Sequence, residues 1–582
     1  MKRAIVIALW LTAAGAAGAR ELRYDATLSG VEGELRRRIE EASRLIAWED
    51  RPPASVAALR RRIDEDRPLL LDVLHAAGHW GARIEVSVDE TASPVAVRLA
   101  VTPGPAYRLS EFAVRLRDGG PLAVPLDDLG LALGEAAATQ AILDAEARLL
   151  AHLARRARPL AKVADRQVVV DHAARAVRVA LLVDDGPLAV FGPARVTGAG
   201  RVERDFLISR LPWREGDPFD SSLLEEARER LALTGLFSSV RVEAREEEMM
   251  GGRLPVSIVL AERPPRSIGA GVGFSTSEGP GAEVFWEHRN LLDEGERFRV
   301  AAQYNAVEGA LVTTIRKPDV LGYGRDLFGE LSARREETDG YDSLSALVTA
   351  GLDYRISRIW SASAALALER ERVEEDGRRD DFALISLPLE ARRDTSDDLL
   401  DPTRGSRLTA ILRPYADVMG SNLAFTRAEL HDSVYLQVID EPRLVLAGWA
   451  RGGVILGADT MDLPPDKRFY AGGGGSVRGY GYQMAGPLDA QGDPIGGRSL
   501  LAGGVEARVR VTETIGVVPF IEGGDVWDER LPDIAEGLLW GAGLGVRYAT
   551  PIGPVRADIA VPLERRPQDD SFQVYLSLGQ AF

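Results

Sequence analysis

The 582-residue chain contains no cysteine, so it builds no disulfide framework, no thiolate metal site and no cysteine nucleophile. Beyond its first 19 residues it has no apolar run approaching about 18 residues, which excludes a membrane-spanning helix there but not a β-barrel, whose strands alternate. Histidine is scarce, with six in all. His75 and His79 have zincin spacing, but Ala76 stands where the glutamate is needed and Gly78 interrupts the helix. No metal site is expected. No Walker lysine follows the glycine run Gly472–Gly475, and "GGSVRG" fails as a nucleophile elbow because Arg478 takes the place of the second glycine. These absences point to a protein that is not an enzyme and needs no cofactor.

What is present begins with Lys2 and Arg3, an apolar run from Ala4 to Leu11, and the small residues Ala17-Gly18-Ala19. That pattern predicts a secretory signal peptide over residues 1–19, cleaved near Ala19 and Arg20. The formal charge of −17 is unevenly spread, since residues 266–582 hold 34 basic and 49 acidic side chains. Nucleic-acid binders carry clustered basic stripes, so this acid bias argues against nucleic acid as a partner.

"VTPGPAYRL" around Pro105, "VDDGPLAVF" around Pro187 and "LAERPPRSI" around Pro264 each close one alternating run and open another. The period of roughly 80 residues predicts three repeats of one supersecondary design, at 20–105, 106–187 and 188–265. Each reads as strand, helix, helix, strand, strand. In the third repeat a turn at Gly216-Asp217 precedes a helix whose apolar side is Leu223, Leu224, Ala227, Leu231 and Leu233. Gly235 ends it, and Phe237, Val240 and Val242 lead into a strand. The first repeat has Leu74, Gly78, Trp80 and Ile84 at matching places, and in the second Ala157 replaces the exit glycine.

From Arg266 the texture changes to period-two alternation. Ile268, Ala270, Val272 and Phe274 fall on one face, with Ser267, Gly269, Gly271, Gly273 and Ser275 on the other. Val555, Ala557, Ile559, Val561 and Leu563 alternate with Arg556, Asp558 and Ala560, which predicts one face in water and one out of it. The chain ends on the mostly apolar series Phe572, Val574, Leu576, Leu578, Gln580 and Phe582. Residues 266–582, at about 20 residues per strand and turn, give ~16 antiparallel strands of a transmembrane barrel. A barrel satisfies every backbone polar group within hydrocarbon, which an open sheet does not.

The three repeats resemble POTRA domains, the periplasmic modules that precede certain outer-membrane barrels, and a terminal aromatic strand resembles the recognition signal of such barrels. "RFYAGGGGSVRGYGY" resembles the sixth extracellular loop of the BamA superfamily, whose tip, here Val477, Arg478, Gly479 and Tyr480, folds into the lumen. In that superfamily the arginine meets an acidic residue in a Phe-x-Asp-x-Gly pattern on a barrel strand. Phe520, Glu522 and Gly524 hold those positions here, so the resemblance implies an Arg478–Glu522 pair, with Asp525 as second choice. "WEHRNLLDEGERF" (286–298) is similar to the second strand and turn of the TamA branch, "RRDTSDDLLDPTRGSRL" (392–408) resembles the Arg-Asp and Pro-x-x-Gly pattern that occurs mid-barrel, and three repeats favour the TamA branch.

The TamA resemblance implies an outer-membrane assembly factor of a Gram-negative bacterium, with its POTRA domains in the periplasm, that helps insert or translocate unfolded autotransporter-type barrels. Its expected partners are those clients, membrane lipids and a TamB-like inner-membrane-anchored protein docking on the first repeat. A lateral seam would join the first strand (Ile268, Gly269, Gly271, Val272, Gly273, Phe274) to the last (Val574, Leu576, Leu578, Phe582). The third-repeat strand at Val240, Arg241 and Val242 is the expected client edge. Two other functions stay open: a phospholipid conduit working with the same partner, and a two-partner-type secretion pore.

Overall fold

The computed structural model describes residues 22–578 except Ser421 and Ile552. The expected signal peptide, Gln580 and the terminal Phe582 lie outside the described residues. Two compact units divide the chain: Met1–Arg195 with Pro212–Arg228 and Val242–Ile258, and Val196–Leu211 with Glu229–Arg241 and Val259–Phe582.

The first repeat is a three-stranded sheet in the order Tyr24–Ser29, Val95–Thr102, Arg83–Asp89, with helices Gly33–Ala42, Arg44–Ala47 and Val56–Ala76. Period-two alternation drives its central strand. Val97, Leu99 and Val101 are buried and meet Ile39, Leu59, Leu70 and Leu74 of the helices in one apolar core. Asp66, fully buried, accepts from the Ser43 hydroxyl at 2.7 Å and from the N–H groups of Arg44 (2.7 Å) and Leu45 (3.3 Å). It thereby satisfies the open N-terminus of the short second helix. His75 stacks on Trp80 with centroids 5.2 Å apart, and His79 Nδ1 bonds the Gly104 carbonyl at 3.0 Å, so this pair is structural.

The second repeat orders Arg108–Leu116, Ala176–Asp184 and Lys162–Asp171 in the same way, but only one α-helix, Thr139–Ala154, covers it. The expected first helix is a single 3₁₀ turn, Asp127–Leu129. Pro121, Pro125, Gly130 and Gly134 in that stretch remove donors and favour bends, which prevents a longer helix. The helix exits of the repeats share one conformation: Gly78 has φ +88° and Gly235 +72°, and Ala157 adopts φ +63° despite its Cβ. Its strain is tolerated because the backbone is held on both sides, its N–H by the Phe219 carbonyl and its carbonyl by the Ala189 N–H, both at 2.9 Å.

The third repeat contains strands Val190–Thr197, Phe237–Ala244 and Arg253–Glu262 and helices Arg204–Ser209 and Ser221–Ala232. Ala227 and Leu231 are buried as the helical spacing predicts. Leu233, counted with them in the sequence, is exposed, because it lies beyond the last helical residue, Ala232.

Residues 266–578 close into an antiparallel barrel of sixteen strands, numbered here in words from Arg266–Ser275 (first) to Gln573–Leu578 (sixteenth). The eighth is broken into Arg378–Ser386 and Leu389–Asp394. Both pieces pair with the seventh strand (Trp360–Glu375) and the ninth (Gly405–Asp417). Pro388, which has no N–H to give the ladder, sits at the break. Ile268, Val272, Ile559 and Leu576 are exposed on the outer, lipid-facing side, while Ala560 and Tyr575 are buried inside. One barrel connection is long, residues 457–498 between the eleventh strand (Leu444–Leu456) and the twelfth (Ser499–Arg510).

Asp66→Ala orphans the Arg44 and Leu45 N–H groups at a cost of about 1–3 kcal/mol. Amide hydrogen exchange at residues 44–47 of the full chain is expected to accelerate by about tenfold or more, with no change in the barrel amides.

Candidate functional site

The 457–498 connection turns inward because its own residues fold it into a compact hairpin with a charged tip. Its two legs exchange backbone hydrogen bonds between Phe469 and Gly497 (2.8 and 3.0 Å), and Ala485 N–H donates to the Ala471 carbonyl at 2.8 Å. Nearer the tip, Gly473 N–H reaches the Tyr480 carbonyl (3.1 Å) and Gly472 N–H reaches the Ser476 hydroxyl (2.7 Å). Gly479 has φ +109°, and a Cβ there would lie 2.8 Å from the carbonyl of Val561 on the fifteenth strand (Val555–Pro562). Only glycine serves both the turn and this approach.

Arg478, 1 % exposed, is the centre of the site. Its Nε and Nη2 donate to the two carboxylate oxygens of Glu522 at 2.9 and 2.6 Å, a bidentate fork. Its backbone N–H adds a third bond to Glu522 at 2.9 Å. Nη1 donates to Asp558 at 2.7 Å, Nη2 lies 3.3 Å from Glu506, and the guanidinium carbon sits 3.4 Å from the Phe520 ring centre. Glu506 belongs to the twelfth strand, Phe520 and Glu522 to the thirteenth (Ile515–Trp527), and Asp558 to the fifteenth. One loop side chain therefore ties three strands together.

The other lone pairs of these carboxylates are also used. Arg508 donates to Glu506 at 2.6 Å, Arg556 to Asp558 at 2.6 Å, Arg547 also pairs with Asp558, and Trp449 Nε1 donates to Glu522 at 3.3 Å. Burial by itself would lower the Arg478 pKa. The charge and hydrogen bonds of Glu522, followed by Glu506 and Asp558, reverse that and hold it above the usual arginine value. The remaining tip residues fix the pose: Val477 is buried against the barrel wall, and the Tyr480 hydroxyl donates to the Glu564 carbonyl at 3.0 Å.

The loop has a second anchor at its root. Lys467 Nζ lies 2.8 Å from Glu369, 2.9 Å from Glu371 and 2.5 Å from Asp466, and Arg468 is bidentate on Glu375 at 2.5 and 2.9 Å. The three carboxylates around Lys467 approach within 4.8 Å of one another, the spacing of an oxygen-donor metal site. Here the protein's own ammonium takes the cation's place.

The structure brings Arg478 and Glu522 together. Asp525, an odd number of residues along the strand from Glu522, points to the other face by strand alternation and accepts from the Val526 N–H at 2.7 Å. Glu506 and Asp558 were not foreseen as Arg478 partners. The signal for Asp558 is the alternation of "VRADIA", whose charged face reads as meeting water, and Glu506 stands in a similar alternation, "VEARVR", that drew no expectation. Arg556 and Asp558 are instead buried, at 5 % and 2 % exposure, because the loop fills that side of the lumen. The root anchor, Lys467 and Arg468, carried no signal beyond proximity to the glycines.

At the junction of first and last strands, sheet pairing runs Phe274↔Leu576 and Ser275↔Tyr575. The same register would set Gly273 opposite Ser577 and Val272 opposite Leu578, and among the described residues neither pair forms. Ser577 and Leu578 nonetheless stay paired to the fifteenth strand. Ile268, Gly269 and Gly271 pair with the second strand (Gly279–His288), and the register would take them past the described end of the sixteenth, toward Phe582. The expected seam running from Ile268 is therefore short in the described structure, and Val574 serves it by accepting the Thr276 N–H at 3.0 Å. Val240, Arg241 and Val242 lie on Phe237–Ala244, an outer strand of the three-stranded order Val190–Thr197, Arg253–Glu262, Phe237–Ala244.

Residues 290–582 match the Omp85 superfamily domain, and residues 189–263 match a POTRA family described as a surface antigen variable number repeat. The chain is 26% identical over 420 residues to the outer membrane protein assembly factor BamA of Nitratidesulfovibrio vulgaris, covering 66% of this chain and 50% of that protein. It is 23% identical over 470 residues to the protein of the same name from Neisseria meningitidis serogroup B, covering 70% and 58%. The chain thus spans about half the length of these curated relatives. A crystal structure of BamA from Haemophilus ducreyi lacking POTRA domains 1–3 superposes with TM-score 0.65 at 18% identity, covering 81% of this chain and all of that one. CdiB from Acinetobacter baumannii gives TM-score 0.50 at 14% identity, covering 82% and 91%. Both likenesses concern the fold.

Glu522→Ala removes the bidentate partner of a buried guanidinium and leaves it only Asp558 and Glu506, at a cost of about 3 kcal/mol. In vesicles, trypsin is expected to spare Arg478 of the wild type even at high salt, since buried pairs are weakly screened, and to cleave after Arg478 in the variant.

Proposed function

Because the chain belongs to the Omp85 superfamily, we propose that it is an outer-membrane assembly factor of a Gram-negative bacterium that inserts client barrels at its seam and catalyses no reaction. One observation carries this reading. Among the described residues the ladder between first and last strands stops at Phe274–Leu576 while the first strand runs on through Val272 and the sixteenth to Leu578, so Gly273 and Val272 have no described partner on the sixteenth strand. Such an edge is a template for another strand. An unfolded client strand would pair there, satisfying in the membrane the N–H and C=O groups that hydrocarbon leaves bare. No nucleotide is needed, because the free energy comes from the client's own folding.

The finer reading is of the TamA type, supported by three repeats ahead of the barrel, with autotransporter-type barrels as clients. In this reading the repeats lie in the periplasm, the first docks a TamB-like inner-membrane-anchored protein, and the strand at Val240–Val242 receives clients by β-augmentation. The two bacterial relatives reported above are BamA proteins, and what separates the two types is the client and the partner.

The test reconstitutes the mature chain in liposomes and follows folding of a urea-denatured autotransporter barrel by its heat-modifiable gel mobility. Wild type is expected to accelerate folding by about tenfold over empty liposomes, the effect of lowering the barrier by 1.4 kcal/mol. A disulfide joining Phe274→Cys to Leu576→Cys should remove the acceleration and dithiothreitol should restore it. Equal acceleration by the locked and reduced forms would exclude the seam as the site of insertion.

A further inference from the structure

The Gly472–Gly475 run has a division of labour that the ion pair of Arg478 does not explain. A Cβ on Gly473 would lie 3.4 Å from Tyr482 of the loop itself and 3.6 Å from the carboxylate of Glu278, in the turn that follows the first strand. A Cβ on Gly474 would lie 3.0 and 3.3 Å from the ring of Tyr575, on the last strand. A Cβ on Gly475 would meet nothing within 4 Å. Gly473 thus lies beside the turn that leaves the first strand, and Gly474 lies against the Tyr575 ring of the last strand with no room for a side chain between them.

Tyr575 stands at the crossing of three contacts. Its backbone is one of the two described pairs across the seam, opposite Ser275. On its other side it pairs with Asp558, whose carboxylate holds Arg478. Its side chain, 3 % exposed, packs with Phe520 and Ala560, and its hydroxyl accepts from the Gly479 N–H at 3.4 Å. Thr276 and Val574 continue the closed end, with Val574 N–H donating to the Thr276 hydroxyl at 2.9 Å.

We infer that the Gly473–Gly474 step clamps the paired end of the seam, and that Tyr575 is the positioning residue through which the loop inside the lumen controls pairing of the first and last strands. The inference rests on the junction of first and last strands being the working seam of the proposed function. Glycine is needed at 474 for space alone: neither Gly474 nor Gly475 has positive φ, so the two neighbours differ in the contact with Tyr575 and not in backbone strain. A side chain at 474 displaces Tyr575, and with it the strand that Ser275 pairs to.

The chain's lack of cysteine gives a clean test. Phe274→Cys and Leu576→Cys, both lipid-facing, are introduced in the full chain in vesicles, and a short bifunctional thiol reagent reports how often the seam is paired. Only barrels with folded, heat-modifiable mobility are scored. Gly474→Val is expected to lower the cross-linked fraction by about fivefold or more, Gly475→Val to leave it unchanged, and Tyr575→Ala to abolish the difference between Gly474→Val and its parent. If Gly474→Val yields no folded barrel, Gly474→Ala against Gly475→Ala carries the comparison. Equal yields at 474 and 475, or a full Gly474 effect persisting without the Tyr575 ring, would overturn the inference. The readout is cross-linking and not client folding, so a clamp that responds as expected in a chain that inserts no client would refute the assembly function and leave the clamp standing.

Discussion

A guanidinium with almost no access to solvent sits inside the barrel and has to be neutralised there. Removing a charge from water costs several kcal/mol, which attraction offsets only when geometry is good and every remaining hydrogen-bonding site is filled. Arg478 meets that condition with Glu522, Asp558 and Glu506, and those carboxylates meet it in turn with Arg508, Arg547, Arg556 and Trp449. The arrangement forces much else. The tip must be thin enough to approach the wall, which requires glycine at 479, and the twelfth, thirteenth and fifteenth strands must hold their carboxylates in one register. A one-residue slip of any of these strands would turn its acid toward lipid.

The same loop is held at its root, where Lys467 and Arg468 engage Glu369, Glu371 and Glu375 of the seventh strand. Root and tip therefore reach different parts of the barrel wall. Between them runs the glycine stretch, with Gly474 against Tyr575 of the last strand. An element held at several points has few intermediate positions, which suits a two-state device: either the tip is seated among its carboxylates and Tyr575 is held, or the tip leaves and the last strand loses its inner support. In the proposed function, a seam that shows two ladder pairs among the described residues and is braced from within would open without dismantling the remainder of the barrel.

Much of this was legible in the residues. Period-two alternation located the barrel, and about 20 residues per strand gave the observed sixteen. The resemblance of Phe520-x-Glu522-x-Gly524 to the superfamily's Phe-x-Asp-x-Gly pattern pointed to Glu522, the main partner of Arg478. What stayed hidden had no motif to mark it. Glu506 and Asp558 are 28 and 80 residues from Arg478, and their alternation with arginine reads equally well as a wetted lumen or a wall under a loop. The missing helix of the second repeat was signalled by Pro121, Pro125, Gly130 and Gly134, and was overlooked because the repeat pattern outweighed local chemistry. Ala157 shows the opposite case, in which tertiary contacts hold a residue where its own preference would not.

The Arg478–Glu522 interaction holds the loop in the lumen. A double-mutant cycle addresses it most directly: Arg478→Met, Glu522→Gln and the double variant, each in vesicles, with unfolding in urea followed by heat-modifiable mobility. A shared buried pair predicts strong non-additivity, with the double variant more stable than the summed losses imply by about 2 kcal/mol or more. Additive losses would mean that the two residues act independently, and the loop would then owe its position to packing and not to the latch.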